Sequence, residues 1–376
     1  MSRRARIVVG VALMLAVALA TAAGLYWQSL QIAARTPGAS LVTQDLHIEP
    51  GMPLRAVLRE LERRELITDA RRLEYFLRCC QSGARIDGAG IKAGHYRIAP
   101  GQTPLDILRQ LVEGRVVLEQ ITLVDGWRFA QARTLVERHP AIVATLAGRS
   151  DAEVMQALGQ PGLAAEGRFA PDTYSFAPGT TDLTLYRMAF EAQQRQLAKA
   201  WEQRQPDLPL TTPDEALTLA SIVEKETGLA SERPRIAGVF VNRLRRGMKL
   251  QSDPTVIYGL GENYDGNIRR RDLTTDTPYN TYTRAGLPPT PIALPGRDAI
   301  IATLNPEHTD AIFFVAIGDG SGGHYFSATL GEHNRAVQRL LQRLRQKPPQ
   351  EEPEAPPALQ TPSAPPASAV EEGAAP

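Results

Sequence analysis

The chain has 376 residues, more than one average domain needs, and a formal net charge of +1. A charge so close to zero lacks the basic surface of most nucleic-acid-binding proteins, so we expect no nucleic-acid partner. Hydrophobic residues make up 43% and charged residues 22% of the chain, as in ordinary soluble proteins. Any contact with a membrane must therefore come from a local segment.

The N-terminal segment predicts a membrane anchor. Residues 7–27 carry no charge, and at about 1.5 Å per helical residue they span roughly 30 Å, one hydrocarbon core. Three arginines precede them, so the positive-inside rule places residues 1–6 in the cytoplasm and everything after Trp27 outside it. The alternative is a cleaved signal peptide, since small residues near Ala22 resemble a cleavage site.

The cysteines and histidines predict no metal and no cofactor. Cys79 and Cys80 are adjacent on a predicted helix over residues 69–80, where a disulfide between them would be strained. We expect both to be buried side chains without a chemical role. The six histidines form no HExxH motif, and no CxxC motif occurs.

A sequence repeat follows the anchor and a predicted linker over residues 28–40. IEPGMPLRAVLREL at residues 48–61 and IAPGQTPLDILRQL at residues 98–111 each predict a strand, a Pro-Gly turn and a helix. This order resembles the LysM carbohydrate-binding module, so we predict a LysM-like α+β subdomain over residues 41–117. A spacer that binds no sugar is the alternative.

Residues 118–346 predict a larger, mixed α/β domain, of a size typical of catalytic domains, which makes the whole chain α+β. ITLVDGW indicates a strand, residues 182–204 a long polar helix, AIFFVAI a buried strand, and the residues before 346 an amphipathic helix. Residues 347–376 are rich in proline and alanine and have little to bury, so we expect a disordered tail.

The segment DEALTLASIVEKET at residues 214–227 predicts a helix that carries two glutamates near its end. On a helical wheel Glu226 shares a stripe with three apolar side chains, whereas Glu224 points to the opposite side. Burial against apolar atoms raises the pKa of a carboxyl, as a general acid at neutral pH requires. The alternative is an ion pair between Glu226 and Arg233 or Arg235.

Two polar loops follow this helix, at residues 250–259 and 278–292. Their side chains could bond to sugar hydroxyls and acetamides or cover the apolar face of a pyranose. The candidates are Gln251, Ser252, Asp253, Thr255, Tyr258, Tyr279 and Tyr282. Ordinary turns with capping side chains are the alternative at each position.

Six segments together resemble the YceG-like family of endolytic murein transglycosylases. They are EGRFAPDTYSF, ASIVEKET, ERPRIAGVFVNRLRRGMKLQSDPTVIYG, PYNTY, GLPPTPIALPG and GGHYFSATLGEHNRAV. The resemblance implies cleavage of the MurNAc-β-1,4-GlcNAc bond without water, with a 1,6-anhydro end as product. Glu226 would be the single acid and base, and Thr227 would orient the Glu226 carboxyl. Glu224 is the second candidate for the catalytic residue. The matched segments add Arg243, Asn280 and His324 to the substrate-binding candidates.

The resemblance also implies partners and a location. The substrate would be nascent peptidoglycan strands, whose elongation the cut ends, and penicillin-binding glycan synthases would be partners. The chain would sit in the inner (plasma) membrane through one helix, with its catalytic domain on the periplasmic side. Two alternatives stay open: a muramidase-type hydrolase that uses Asp253 or Asp276 as a second carboxylate, and a non-catalytic peptidoglycan-binding scaffold.

Overall fold

A computed structural model describes residues 3–79 and 90–346, without the side chains of residues 3–6 and 8. The predicted tail at residues 347–376 and Cys80 lie outside the described residues. The chain forms two compact units that divide between Thr309 and Asp310. Helices and short strands together form an α+β fold, as the sequence predicts.

The helices are α1 (Arg3–Arg35), α2 (Leu54–Arg63), α3 (Ala70–Cys79), α4 (Pro104–Glu113), α5 (Phe129–Arg138), α6 (Asp151–Ala157), α7 (Asp182–Glu202), α8 (Pro213–Glu226), α9 (Arg233–Arg245), α10 (Asp253–Leu260), α11 (Arg270–Thr274), α12 (Arg297–Leu304) and α13 (Leu330–Gln346). The strands are β1 (Gln44–Ile48), β2 (Gly94–Ile98), β3 (Glu119–Thr122), β4 (Ile142–Val143), β5 (Thr173–Phe176), β6 (Thr180–Thr181), β7 (Phe313–Ala316) and β8 (His324–Ser327). They pair as four two-stranded sheets: β1–β2, β3–β5 and β7–β8 are antiparallel, and β4–β6 is parallel.

Helix α1 is a single helix of 33 residues. Its segment Val9–Arg35 has the length and composition of a helix that could cross a membrane. The predicted linker over residues 28–40 is wrong in its first part, because the helix continues to Arg35. Leu30 and Ala34 are 1% and 0% exposed and pack in the hydrophobic core of the repeat region. The apolar run is thus joined to that region by buried helix.

The two sequence repeats fold as matching strand-turn-helix units. Strands β1 and β2 pair with each other, with Leu46 opposite Tyr96 in the buried row. Each Pro-Gly turn places its glycine at positive φ, 78° at Gly51 and 81° at Gly101, a conformation that favours glycine. Helices α2 and α4 follow these turns and bury their apolar faces in the same core.

A second hydrophobic cluster, between Ile121 and Leu294, surrounds the aromatic pair Phe129 and Phe169, whose rings stack at 4.5 Å. Helix α8 is buried along most of its length, because all eight of its residues from Ala216 to Val223 are buried. Helices α7, α9 and α12 pack around it. A helix buried on every side is a rigid support, and it ends at Glu226.

Two predictions about burial are wrong. Cys79 is exposed, because it lies on the outer side of α3 with Arg78, while Leu73 and Leu77 face the core. In the second unit, strand β7 is only half-buried, and its last residue is exposed. This strand pairs with β8 alone, so one two-stranded sheet leaves part of its surface open.

Candidate active site

The carboxyl end of helix α8 is fixed by its neighbours in sequence. The helix begins at Pro213, and the Thr212 side chain caps it by accepting a bond from the Glu215 N–H. It ends because Thr227 adopts an extended conformation. The Thr227 hydroxyl accepts a hydrogen bond from the Leu229 N–H at 3.0 Å, so it stabilises the exit from the helix. Its predicted orientation of Glu226 stays a prediction.

Glu226 is a carboxyl enclosed by protein, with part of its side chain at the surface. The Ser252 hydroxyl donates a hydrogen bond of 2.5 Å to its Oε1. Burial raises the pKa of Glu226 to about 7, and the charge of Asp253 acts in the same direction. The Ser252 bond and the Arg243 charge oppose this rise. Near neutral pH the group can therefore both give and take a proton.

Glu224 is engaged in two strong contacts on the other side of α8. Its Oε1 accepts a bond from Arg233 Nη2 at 2.9 Å, and its Oε2 accepts one from the Gly296 N–H at 2.9 Å. Only 5% of the side chain is exposed. The ion pair that the sequence offered as an alternative for Glu226 is thus made by Glu224. Glu224 joins α8 to the beginnings of α9 and α12, which favours Glu226 as the reactive group.

The two predicted polar segments meet beside Glu226 and are tied together by hydrogen bonds. The prediction of a loop over residues 250–259 is wrong from Asp253 on, where helix α10 begins. The Gln251 N–H donates to the Thr281 carbonyl at 3.1 Å, and the Ser252 N–H donates to the Thr281 hydroxyl at 3.0 Å. The buried Thr255 hydroxyl bonds to the Ser252 carbonyl and to Thr281. Thr255 therefore positions Ser252, while Gln251 is exposed with a φ of 49°.

Asp253 and Arg243 place opposite charges near Glu226. The Tyr282 hydroxyl donates to Asp253 Oδ1 at 2.6 Å. Burial raises the pKa of Tyr282, and the charges of Asp253 and Glu226 raise it further. Arg243 is 7% exposed and donates from Nη1 to the Leu250 carbonyl at 2.6 Å. Burial lowers the pKa of Arg243, against the opposing effect of Tyr282 and Glu226.

Tyr258 and Tyr279 form an aromatic pair at the far end of α10. Their ring centroids are 4.8 Å apart, with planes inclined by 59°. Both side chains are half-buried, and the Tyr279 hydroxyl bonds to Thr290 Oγ1 at 2.8 Å. The structure therefore brings the two predicted sugar-binding tyrosines together with part of each side chain exposed.

Three other predicted residues lie elsewhere or inside the protein. Asn280 is buried, and its Nδ2 donates to three backbone carbonyls of the α11 region, among them that of Thr275 at 2.7 Å. Asp276 is held in an exposed turn by Arg284, whose side-chain bonds lower the pKa of Asp276 to about 2. His324 belongs to β8 in the second unit, where its ring contacts Phe314 at 5.5 Å. Its part in substrate binding stays a prediction.

Sequence reasoning missed Glu166. Its Oε1 accepts a bond from the Phe129 N–H at 2.9 Å, and Tyr258 and Arg128 face the carboxyl. Burial raises its pKa to about 7, against the effects of these neighbours. The residue lies far from α8 in sequence, so no spacing signals it, although it opens the matched segment EGRFAPDTYSF. The described residues hold no group of three acidic, histidine or cysteine side chains that could bind a metal ion.

Known proteins resemble the chain over most of its length. A Bacillus subtilis protein named endolytic murein transglycosylase is 29% identical over 319 residues, 80% of this chain and 86% of the relative. A Streptococcus pneumoniae protein of the same name is 30% identical over 280 residues, 66% of this chain but 50% of that longer relative. A solved YceG-like protein of Listeria monocytogenes is 27% identical and matches 79% of this chain and 99% of its own, with a TM-score of 0.48.

The profile of one protein family matches most of the chain. It spans residues 46–339, which include the repeat region, helix α8 and the two polar loops. The chain therefore belongs to the YceG-like family.

Proposed function

We propose that the chain is an endolytic peptidoglycan lytic transglycosylase anchored in the membrane by α1. The observation that carries the proposal is Glu226, a carboxyl with a pKa raised to about 7, bonded to Ser252 at the end of a buried helix. The name shared by the Bacillus and Streptococcus relatives supports the substrate and the type of cut.

One carboxyl is sufficient for both halves of this reaction. Protonated Glu226 gives its proton to the glycosidic oxygen, and the bond between that oxygen and C1 of the muramic acid breaks. The sugar passes through an oxocarbenium-like state. The C6 hydroxyl oxygen of the same sugar then bonds to C1, which closes the 1,6-anhydro ring. The Glu226 carboxylate takes the proton of this hydroxyl and becomes the acid again. The nucleophile is held within the substrate, so no second catalytic carboxylate is needed.

The contacts of Glu226 fit this exchange of roles. The Ser252 bond and the Arg243 charge favour the carboxylate, while burial and the Asp253 charge favour the acid. These opposed effects leave the pKa near neutrality, where both forms are accessible. Arg243 donates to the Leu250 carbonyl, which keeps its charge in place near the carboxyl.

A muramidase-type hydrolase is the second candidate, because the negative charge of Asp253 is close enough to raise the pKa of Glu226. Asp253 could act as a base for water or as a nucleophile. Asp276 is a weaker choice, since Arg284 engages both of its oxygens in an exposed turn. The Tyr282 hydroxyl donates to Asp253 Oδ1 and holds this carboxyl beside α10.

The products decide between the two reactions. Peptidoglycan is digested with the full-length protein in detergent, and the fragments are analysed by mass spectrometry. Anhydro ends, about 18 Da lighter than hydrated ends through the loss of one water, support the lyase. Reducing ends support the hydrolase and direct attention to Asp253. We expect Glu226→Gln to abolish product formation, and the exposed control Glu202→Gln to leave it unchanged.

We further propose that α1 restricts the enzyme to nascent strands near the bilayer, so that the cut ends their elongation. The positively charged residues before the apolar run would place the catalytic region on the periplasmic side of the inner membrane. Penicillin-binding glycan synthases would be partners, and the LysM-like region could hold the strand. The buried stretch of α1 around Leu30 supports a fixed height rather than a flexible tether.

The role of α1 as an anchor is tested in cells by comparing the lengths of the released glycan fragments. A form without residues 1–27, exported by a cleaved signal peptide, should release fragments of a broader length distribution than the full chain. Equal distributions would refute the role of the anchor and leave the chemistry of Glu226 untouched.

A further inference from the structure

Helix α10 links Glu226 to a second group of polar and aromatic side chains. Ser252, which bonds to Glu226, immediately precedes the helix, and Tyr258 lies near its other end. At about 1.5 Å per residue the two positions are separated by about 9 Å along the axis. This distance is comparable to the length of a disaccharide, so one glycan strand could reach both ends.

Glu166 is held at the Tyr258 end of the helix. The Phe129 N–H, at the first residue of α5, donates to its Oε1 at 2.9 Å. The Tyr258 hydroxyl and the Gly167 N–H also bond to the carboxyl, and the nearby charge of Arg128 stabilises its ionised form. Glu166 is only half-buried as a residue, so a ligand can still approach it.

The aromatic surface beside Glu166 is also fixed. The Arg128 guanidinium lies 5.0 Å from the centre of the Tyr258 ring and donates to the Ile257 carbonyl at 2.9 Å. Tyr258 also contacts Tyr279, with ring centroids 4.8 Å apart and planes inclined by 59°. A ring face with a charged acceptor at its edge can bind a pyranose, because the ring covers the apolar sugar face while the acceptor takes an O–H or N–H bond.

We propose that Glu166, Arg128, Tyr258 and Tyr279 form a second sugar subsite, which binds an N-acetylhexosamine unit of the strand at a distance from the cleaved bond. Glu166 accepts a hydrogen bond from a hydroxyl or the acetamido N–H of this sugar, and the tyrosines contact its apolar face. The proposal rests on the proposed function for the identity of the polymer. In this proposal the Glu166 carboxyl binds the strand and takes no part in proton transfer at the cleaved bond.

The subsite predicts a change in binding, whereas a purely structural Glu166 predicts a change in stability alone. The test uses the full-length Glu226→Gln protein in detergent, with chitotetraose, a tetramer of β-1,4-linked N-acetylglucosamine, as probe. Its affinity is measured by isothermal titration calorimetry. Adding Glu166→Gln should weaken binding at least tenfold, and adding Glu202→Gln should leave it unchanged.

Equal affinities with and without Glu166→Gln, in proteins of equal melting temperature, would overturn the subsite. If Glu166→Gln does not fold, Glu166→Asp takes its place: it keeps the charge but withdraws it by one methylene, and the same loss is expected. In the active enzyme, Glu166→Gln should raise KM about tenfold with little change in kcat. Because binding is measured without catalysis, failure of the role of Glu226 would leave this result interpretable.

Discussion

The Ser252 hydroxyl donates a 2.5 Å hydrogen bond to the Glu226 carboxyl, so the residue before α10 lowers the proton affinity of the last residue of α8. The bond stabilises the carboxylate and lowers the pKa of Glu226. Ser252→Ala should therefore move the alkaline limb of the pH profile of kcat to higher pH, by up to about one unit. We expect kcat at pH 7 to fall about tenfold, because the carboxyl is less well positioned.

The matched control is Ser175→Ala, an exposed serine on β5 that bonds to Gln120. Its profile should coincide with that of the unchanged protein. A Ser252→Ala profile with an unmoved alkaline limb would show that the hydrogen bond does not govern the titration of Glu226.

The pH dependence of turnover should show a limb near pH 7. Glu226 must be protonated to donate to the leaving oxygen, and burial raises its pKa to about 7. As pH rises through this value the acid form is lost, so kcat should fall about tenfold for each further pH unit. Glu166 titrates in the same range, so the profile is also measured in Glu166→Gln. The limb should persist there, and its disappearance would assign it to Glu166.

Glu226→Gln should stabilise the protein at high pH. The folded pKa of about 7 exceeds the ordinary glutamate value of 4.5, so the folded state binds more protons between these values, and stability falls as pH rises from 4.5 to 7. Glutamine carries no charge and avoids this loss. We expect a gain on the order of 2 kcal/mol above pH 7 and little difference near pH 4. Melting temperatures across this range measure the effect, and a pH-independent difference would contradict it.

The sequence predicts helix α8 well because its pattern is local. Its apolar periodicity and acidic first turn indicate the helix within one residue at each end, and the wheel separates Glu226 from Glu224. The partners of these carboxyls are not local. Ser252 and Gly296 come from segments far along the chain, and only the packing of α8 with its neighbours brings them together.

The extension of α1 to Arg35 likewise depends on contacts between distant segments, which a local sequence pattern does not show. An apolar run followed by polar residues indicates where a membrane span ends, but not whether the helix ends there. Helix α1 continues beyond the apolar run because Leu30 and Ala34 are buried in the core of the repeat region. Glu166 was missed for a similar reason, since α10 places Tyr258 beside it and no spacing in the sequence does so.

The last prediction concerns Gly296, which lies between two carboxyls at the beginning of α12. A Cβ added there would lie 2.3 Å from Asp125 Oδ1 and 3.2 Å from Glu224 Oε2. Gly296→Ala must therefore displace the Asp125 side chain and weaken the bond from the Gly296 N–H to Glu224. We expect a loss of about 1–3 kcal/mol in the free energy of unfolding.

Gly228→Ala is the control for Gly296→Ala, because a Cβ at Gly228 would meet nothing within 4 Å. Gly228 lies two residues after the end of α8, so it tests the same glycine-to-alanine change near this helix. Denaturant unfolding measures both variants. Since Glu224 holds the side of α8 opposite Glu226 through its bonds to Arg233 and Gly296, Gly296→Ala should also lower kcat, while the pKa seen in the alkaline limb stays near 7. A stability equal to that of Gly228→Ala would show that the contact between α8 and α12 tolerates the added methyl group.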